Sequence, residues 1–128
     1  AGTTLVDVTV RSAGDRDLLS LVRADAASYR ANSASGVEAW EPAVVAVRDV
    51  EEDANLTTNL GGFGFEQPGV LFSVVIRLRV RQSPTGWYYG STPLRSGERF
   101  EYSHSSYSLT GVIAGVDVTP RQAEDLTR

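Results

Sequence analysis

The sequence lacks several residue types on which enzymes and small disulfide-rich proteins depend. Its 128 residues include no cysteine, no methionine and one histidine, and all 12 basic residues are arginine because lysine is absent. Thiol nucleophiles, disulfides, cysteine-based zinc sites and Schiff-base lysine chemistry are therefore excluded by composition. No metal or other cofactor is predicted, since the carboxylates show no spaced ligand pattern. No run of about 18 apolar residues occurs, so no membrane-spanning helix is predicted.

The residues that are present have the composition of an ordinary globular domain. Hydrophobic residues make up 41% and charged residues 22%, and the length predicts a single domain over residues 1–128. The net charge of -4 argues against a nucleic-acid partner. Charge is unevenly distributed, because residues 1–72 contain 11 acids and 5 arginines, whereas residues 73–104 contain 2 acids and 5 arginines. A partner is therefore expected first at the basic segment, residues 73–104.

Alternating apolar and polar residues predict a protein built mainly of strands, because successive side chains of a strand point to opposite faces. Strands are predicted around Val6–Val10 and at residues 43–52, 70–82, 98–103, 106–111 and 112–118. Helical spacing of apolar residues behind a capping Asp15 predicts one short helix at about 15–28. The predicted class is all-β to β-rich α+β, a small barrel or sandwich of six to seven strands with one short helix.

The chain divides into two halves at a glycine-rich segment. Four glycines and Pro68 predict a loop over residues 53–69. An offset of 68 residues aligns valine-rich strands of residues 4–52 with those of 70–118, so a pseudo-two-fold internal repeat is one interpretation and chance similarity is the other. Residues 119–128 are expected to form a polar tail.

A group of turn motifs in the second half resembles a known family. Gly90, Pro93-Leu94-Arg95 and Gly97 precede a strand, and Thr110-Gly111 follows within the next one. This pattern resembles domain-of-unknown-function family 4330, small proteins of halophilic archaea and cyanobacteria, over about residues 4–118. The resemblance implies an extracytoplasmic domain behind an N-terminal transmembrane helix that is not part of this sequence. Where the family has Gly-Asp, this chain has Ala24-Asp25, and the resemblance implies no activity, cofactor or catalytic residue.

Three arginines alternate with apolar residues in the longest predicted strand. Arg77, Arg79 and Arg81 are expected to lie on one face, about 6.5–7 Å apart. A row of this kind suits anionic groups repeated along a polymer, or lipid head groups, because guanidinium binds carboxylate and phosphate bidentately. The alternative is a solvated face whose arginines pair with Asp7, Glu51, Glu52 or Glu101 on neighbouring strands.

Aromatic residues concentrate at two turns. Trp87, Tyr88 and Tyr89 follow a Pro-Thr-Gly turn, and Phe63 and Phe65 lie among glycines. They are candidates for a sugar-stacking platform, a membrane-surface contact or a protein interface. The structural alternative, favoured for Trp87, is that the rings cap the open end of a barrel.

Two further motifs are weak. The run Ser103-His104-Ser105-Ser106 contains histidine and serine, but adjacent strand residues point to opposite faces and there is no Gly-x-Ser-x-Gly elbow, so no catalytic residue is predicted. Asn55-Leu56-Thr57 matches a glycosylation sequon, which makes Asn55 a modification candidate if the protein is exported.

These observations predict a non-catalytic domain that is not an enzyme. It is expected to be the extracytoplasmic part of a membrane-anchored envelope protein, where it binds or assembles with another protein, either itself or another envelope component. Anchoring would use a segment absent from this chain, and the start at Ala1 fits removal of such a segment. Two alternatives are an anionic polysaccharide or lipid head-group module using the arginine row, and a structural subunit of a surface assembly whose edge strands pair between copies.

Overall fold

One helix and seven strands make up the described part of the chain. The computed structural model describes residues 3–34, 42–60, 65–104 and 106–119, with backbone alone at 33–34, 53–60 and 65–68. The strands are β1 (Thr3–Gly14), β2 (Ala43–Leu60), β3 (Phe65–Ser83), β4 (Gly86–Tyr89), β5 (Thr92–Pro93), β6 (Arg99–Ser103) and β7 (Ser108–Val118), and the helix is α1 (Arg16–Ala34).

The strands form one antiparallel sheet of order β5-β4-β3-β1-β7-β6, and β2 pairs with β3 outside this path. One edge of β3 pairs with β1, while the other edge is shared between β2 at residues 65–77 and β4 at residues 81–83. The six-stranded path is nearly closed into a barrel. The predicted class, a mostly β domain of six to seven strands with one helix, is confirmed.

The core lies on the concave side of this sheet. In β1, Val6, Val8 and Val10 are fully buried, as the alternation predicts. Five alternate side chains of β3 face the same interior and are at most 1% exposed: Phe72, Val74, Ile76, Leu78 and Val80. Burying a side chain of this size contributes on the order of 1.5–3 kcal/mol, so this double row is the main source of stability.

Helix α1 packs on the core through one stripe. Leu19, Val22 and Ala26 are buried at helical spacing and belong to the same cluster as the strand residues. Asp15 caps the N-terminus, because its Oδ1 accepts the Leu18 backbone N–H at 2.8 Å. The helix continues to Ala34, beyond the predicted end at residue 28, and Arg30 of the groove described below lies in this extension.

Three predicted boundaries are wrong. Most of the predicted loop 53–69 is strand, because β2 continues to Leu60 and β3 begins at Phe65 in a long hairpin. Pairing along this hairpin outweighs the local effect of glycine and proline, and Pro68 itself lies opposite Thr57. The strands predicted at 106–111 and 112–118 are one strand, β7, and the predicted aromatic turn is strand β4.

The internal repeat stays a prediction. If β1 corresponds to β3 and β2 corresponds to β7, a two-fold repeat of the two halves produces the observed order β2-β3-β1-β7. The middle portions differ, since α1 in the first half corresponds to β4, β5 and β6 in the second. Of the predicted tail, Thr119 is buried, and residues 120–128 lie outside the described residues.

Candidate ligand-binding groove

The predicted arginine row begins with a residue that is already paired. Antiparallel register places Arg77 opposite Asp7, and the guanidinium donates from Nε at 2.8 Å and from Nη2 at 3.0 Å to the two carboxylate oxygens. Arg77 Nη1 also donates to Tyr29 Oη at 3.1 Å. The hydrogen bond to Asp7 raises the pKa of Arg77 despite partial burial. The paired interpretation is confirmed for Arg77, which therefore has little capacity left for a ligand.

The other two members of the row stay on the exposed face of β3. Arg79 Nη1 lies 3.5 Å from Thr3 Oγ1, and Arg81 is exposed near the end of the strand. The other three acids predicted to pair with the row have different partners: Glu51 pairs with Arg11, Glu52 with Arg16, and Glu101 with Arg99. The three arginines share a face, as predicted, but Arg77 is already paired with Asp7, so the three do not form a row that could bind a ligand as a unit.

The aromatic residues do not assemble into one platform. Trp87 is half-buried and packs against the core, which agrees with the structural interpretation. Tyr88 Oη hydrogen bonds with Thr85 Oγ1 at 2.9 Å, and Tyr89 is exposed with its ring 6.3 Å from that of Phe100. Of the remaining candidates, Phe63 and the side chains of Phe65 and Asn55 lie outside what the structure describes.

A groove runs between helix α1 and strand β2, and we call it the α1–β2 groove. Its volume is 620 Å³, and Arg23, Arg30 and Arg48 line it. Small apolar side chains form the rest of its lining, among them Ala26, Ala27, Val45 and Val47. A second depression of 430 Å³ shares Arg30 and Arg48 with the groove and extends to the Asp7–Arg77 pair. The two depressions therefore share part of their lining, including two arginines.

The arginines of the α1–β2 groove are exposed and have no ion-pair partner among the described residues. Within residues 3–34, 42–60, 65–104 and 106–119, no carboxylate forms an ion pair with Arg23, Arg30 or Arg48. Arg23 and Arg30 are seven residues apart on α1, so they occupy one face about 10 Å apart along the helix axis. Arg48 comes from the opposite wall. The groove therefore presents three guanidinium groups along its length.

The backbone of β2 is irregular where it borders the groove. The register with β3 shifts between Val44 and Ala46 and again between Arg48 and Glu51. Asp49, which lies within the second shift, has a positive φ of 52°. Bulges of this kind interrupt the row of N–H and C=O groups that an added strand would need. Recognition in the α1–β2 groove therefore depends on side chains, mainly the arginines.

Sequence reasoning did not find this groove. Arg23 and Arg30 have a recognisable helical spacing, but they belong to the acid-rich part of the chain, residues 1–72. Arg48 reaches the same groove only because β2 lies beside α1 in the fold. No local pattern connects a residue of the helix with a residue of that strand.

His104 belongs to a small polar cluster between α1 and the β6–β7 turn. Tyr107 Oη donates to Asp25 Oδ2 at 2.6 Å, and His104 Nε2 lies 3.9 Å from Asp25 Oδ1. The rings of His104 and Tyr107 stack with their centroids 5.5 Å apart. Burial, followed by the hydrogen bond to Asp25, raises the pKa of Tyr107. The contacts connect the helix to the sheet, and this is a structural role.

The described residues contain no group of three or more histidine, aspartate or glutamate residues arranged to hold a metal ion. Among the same residues, no helix has the length and apolarity that crossing a membrane requires.

Fold and groove define this chain as a barrel-shaped β domain with one helix and a basic groove. Comparisons with protein-family models, curated proteins and solved structures each give no match. The family resemblance suggested by the turn motifs therefore stays a prediction.

Proposed function

We propose that this domain is a non-catalytic binding module that holds an anionic macromolecule in the α1–β2 groove. One observation carries the proposal: Arg23, Arg30 and Arg48 line a single groove and none has a carboxylate partner in the described chain. Arginine remains charged at any physiological pH and binds carboxylate, sulfate or phosphate through two parallel hydrogen bonds. Three such groups in an otherwise acidic protein favour a ligand with several negative charges.

The shape of the groove favours a linear polymer over a membrane surface. Its arginines come from α1 on one side and β2 on the other, and the spacing of Arg23 and Arg30 is about two helical turns. A chain with regularly repeated charges fits between such walls, whereas a flat array of lipid head groups contacts convex surfaces more readily. The ligand class that we propose is an acidic polysaccharide.

We expect replacement of the three groove arginines to abolish most of the binding. The variant R23Q/R30Q/R48Q should bind a polyuronate, such as polygalacturonate, at least tenfold more weakly than the wild type, as measured by isothermal titration calorimetry. Binding of the wild type should also weaken steeply as salt is added, because exposed charges are screened.

A matched variant separates the groove from net charge. R16Q/R81Q/R95Q removes three exposed arginines elsewhere and changes the net charge equally, so it should bind almost as the wild type does. Equal losses in both variants, or unchanged binding by R23Q/R30Q/R48Q, would contradict the proposal. Vesicles containing phosphatidylglycerol provide the second arm, and binding to vesicles but not to polyuronate would assign the groove to lipid head groups.

We further propose that the domain acts outside the cytoplasm, as part of a membrane-anchored envelope protein. The turn motifs that resemble family 4330 support this location, and so does the sequon at Asn55. An acidic polysaccharide is also a ligand available at a cell surface. Fractionation of cells that make the full-length protein should place it in the envelope fraction, and recovery in the cytosol would contradict the proposed location.

A further inference from the structure

Strand β6 ends the sheet with an edge that no described strand covers. β6 pairs with β7 on one side, and the strand that would close the barrel on the other side is β5. β5 has only two residues, and one of them, Pro93, has no N–H to donate. A space of 630 Å³ between β6 and the β4–β5 turn is lined by Tyr89, Thr92 and Phe100 among others. Among the described residues, the barrel therefore stays open along β6.

The alternation of hydrogen-bonded pairs between β6 and β7 shows which backbone groups of β6 point to its open side. His104 donates to the carbonyl of Tyr107 at 2.8 Å and accepts from its N–H at 3.4 Å, so these two residues form a hydrogen-bonded pair. Hydrogen-bonded pairs alternate along an antiparallel ladder. The even-numbered residues of β6 therefore direct their backbone groups to β7, and Arg99, Glu101 and Ser103 direct theirs outward.

The edge of β6 is regular, in contrast to the edge of β2. Its register with β7 runs without interruption from Arg99–Val112 to Ser103–Ser108. It contains no proline and no bulge, which are two of the features that natural edge strands use to prevent pairing. The geometry of β6 is suitable for adding another strand.

We propose that β6 pairs antiparallel with β6 of a second copy of this chain, about a two-fold axis at Phe100. In this register Arg99 lies opposite Glu101 of the second copy, and Glu101 opposite its Arg99. Both residues have outward-pointing backbone groups, so each pair also exchanges two backbone hydrogen bonds. Within one chain the exposed side chains of Arg99 and Glu101 pair with each other at 3.2 Å, and in the dimer two such intrachain pairs would be exchanged for two cross-strand pairs. The pattern Arg-Phe-Glu is self-complementary about its centre.

The charges select this register over the neighbouring one. An axis at Glu101 would also align outward-pointing backbone groups, but it would place the two Glu101 carboxylates directly opposite each other, which is destabilising. The strand is five residues long and buries less surface than a stable interface of about 1,200–2,000 Å². We therefore expect a weak dimer that forms as the protein concentration rises.

Dimerisation would place two α1–β2 grooves in one particle. This consequence rests on the proposed function, whereas the dimer itself does not. Two linked grooves on one polymer would strengthen binding through effective concentration, without any new contact to the ligand.

Charge reversal tests the proposed pairing. Sedimentation velocity over a concentration series should show a monomer–dimer equilibrium for the wild type. E101R places arginines opposite each other and should raise the dissociation constant at least tenfold, and R99E should do the same with carboxylates. The double variant R99E/E101R restores opposite charges and should recover the wild-type dimer. E98R reverses a nearby charge outside β6 and should have no effect.

A backbone variant gives a second readout. E101P removes an N–H that points outward, without removing a hydrogen bond to β7, and should yield a folded monomer by circular dichroism and sedimentation. A wild-type monomer at every concentration would overturn the proposal. A dimer that persists in E101R and E101P would form through another surface and would overturn it equally. The groove variant R23Q/R30Q/R48Q should dimerise like the wild type, so failure of the groove proposal can be distinguished from failure of the dimer proposal.

Discussion

Gly111 of β7 lies opposite Ser12 of β1. A Cβ at position 111 would meet the backbone oxygen of Arg11, with Ser12 Oγ at 2.5 Å and Val10 Cγ1 at 2.6 Å. Ser12 Oγ is itself buried without a hydrogen-bond partner in the described chain. The two strands can approach this closely only because residue 111 has no side chain.

Gly111→Ala should therefore destabilise the protein strongly. Overpacking costs about 1–3 kcal/mol, and we expect the upper end of this range because one of the atoms met is backbone. Urea unfolding measures the loss. Gly115→Ala in the same strand is the matched control, since nothing lies within 4 Å of its Cβ, and it should change stability by less than about 0.5 kcal/mol. Equal effects at the two positions would contradict close packing at Gly111.

The Asp7–Arg77 pair shows what could be predicted at the scale of single residues. Alternation placed Arg77 on a polar face, and the acid-rich first half suggested a carboxylate partner for it. The identity of that partner depended on the β1–β3 register, which joins residues 70 positions apart. Faces follow from local periodicity, whereas contacts between distant residues follow from the fold.

At the scale of elements, α1 is stabilised at its N-terminus by a cap and is joined to the sheet by a polar cluster. Asp15 caps its first turn, and Asp25 accepts a hydrogen bond from Tyr107 of the β6–β7 turn. Burial of the phenol and its hydrogen bond hold the pKa of Tyr107 above the ordinary value of 10.0, and burial also raises the pKa of Tyr102. The attachment therefore has a measurable dependence on pH.

We expect the protein to lose stability above about pH 10. Below this pH both tyrosines are protonated in the folded and unfolded states, so their contribution is complete. As pH rises past 10, the unfolded chain releases phenolic protons that the folded protein retains, and the free energy of unfolding decreases. Tyr107→Phe should cost about 1.5–3 kcal/mol at neutral pH, the value of a hydrogen bond to a charged group.

The alkaline loss should also become smaller in Tyr107→Phe, because only Tyr102 continues to contribute. Urea unfolding followed from about pH 8 to about pH 11 measures both quantities. An alkaline slope identical to that of the wild type would show that Tyr107 does not titrate differently in the two states.

Elements with a clear hydrophobic period were predicted well. β1 and the centre of β3 follow a period of two residues over long runs, and one capped apolar stripe identified α1. The second part of β2 and the start of β3 contain glycine, proline and asparagine, so local propensity predicted a loop. Those residues form strands because they pair with each other in a hairpin.

At the scale of the whole molecule, net charge conceals a basic groove in the acid-rich part of the chain. Two of the groove arginines lie on α1 and one on β2, and all three belong to residues 1–72, where acids outnumber arginines. Three of those acids, Glu51, Glu52 and Asp7, pair with arginines that do not line the groove. The basic segment at residues 73–104 was a reasonable prediction from composition, but its first arginine is neutralised by Asp7.

β1 lies between β3 and β7, so the first strand of the chain needs the last one as a neighbour. During synthesis, β1 leaves the ribosome long before β7 exists, and one edge of a valine-rich strand remains uncovered throughout. Sheets built from such distant pairings form slowly and expose strands that can associate with other nascent chains. Productive folding of this domain therefore waits for residues 108–118, and chains released before that point are expected to aggregate.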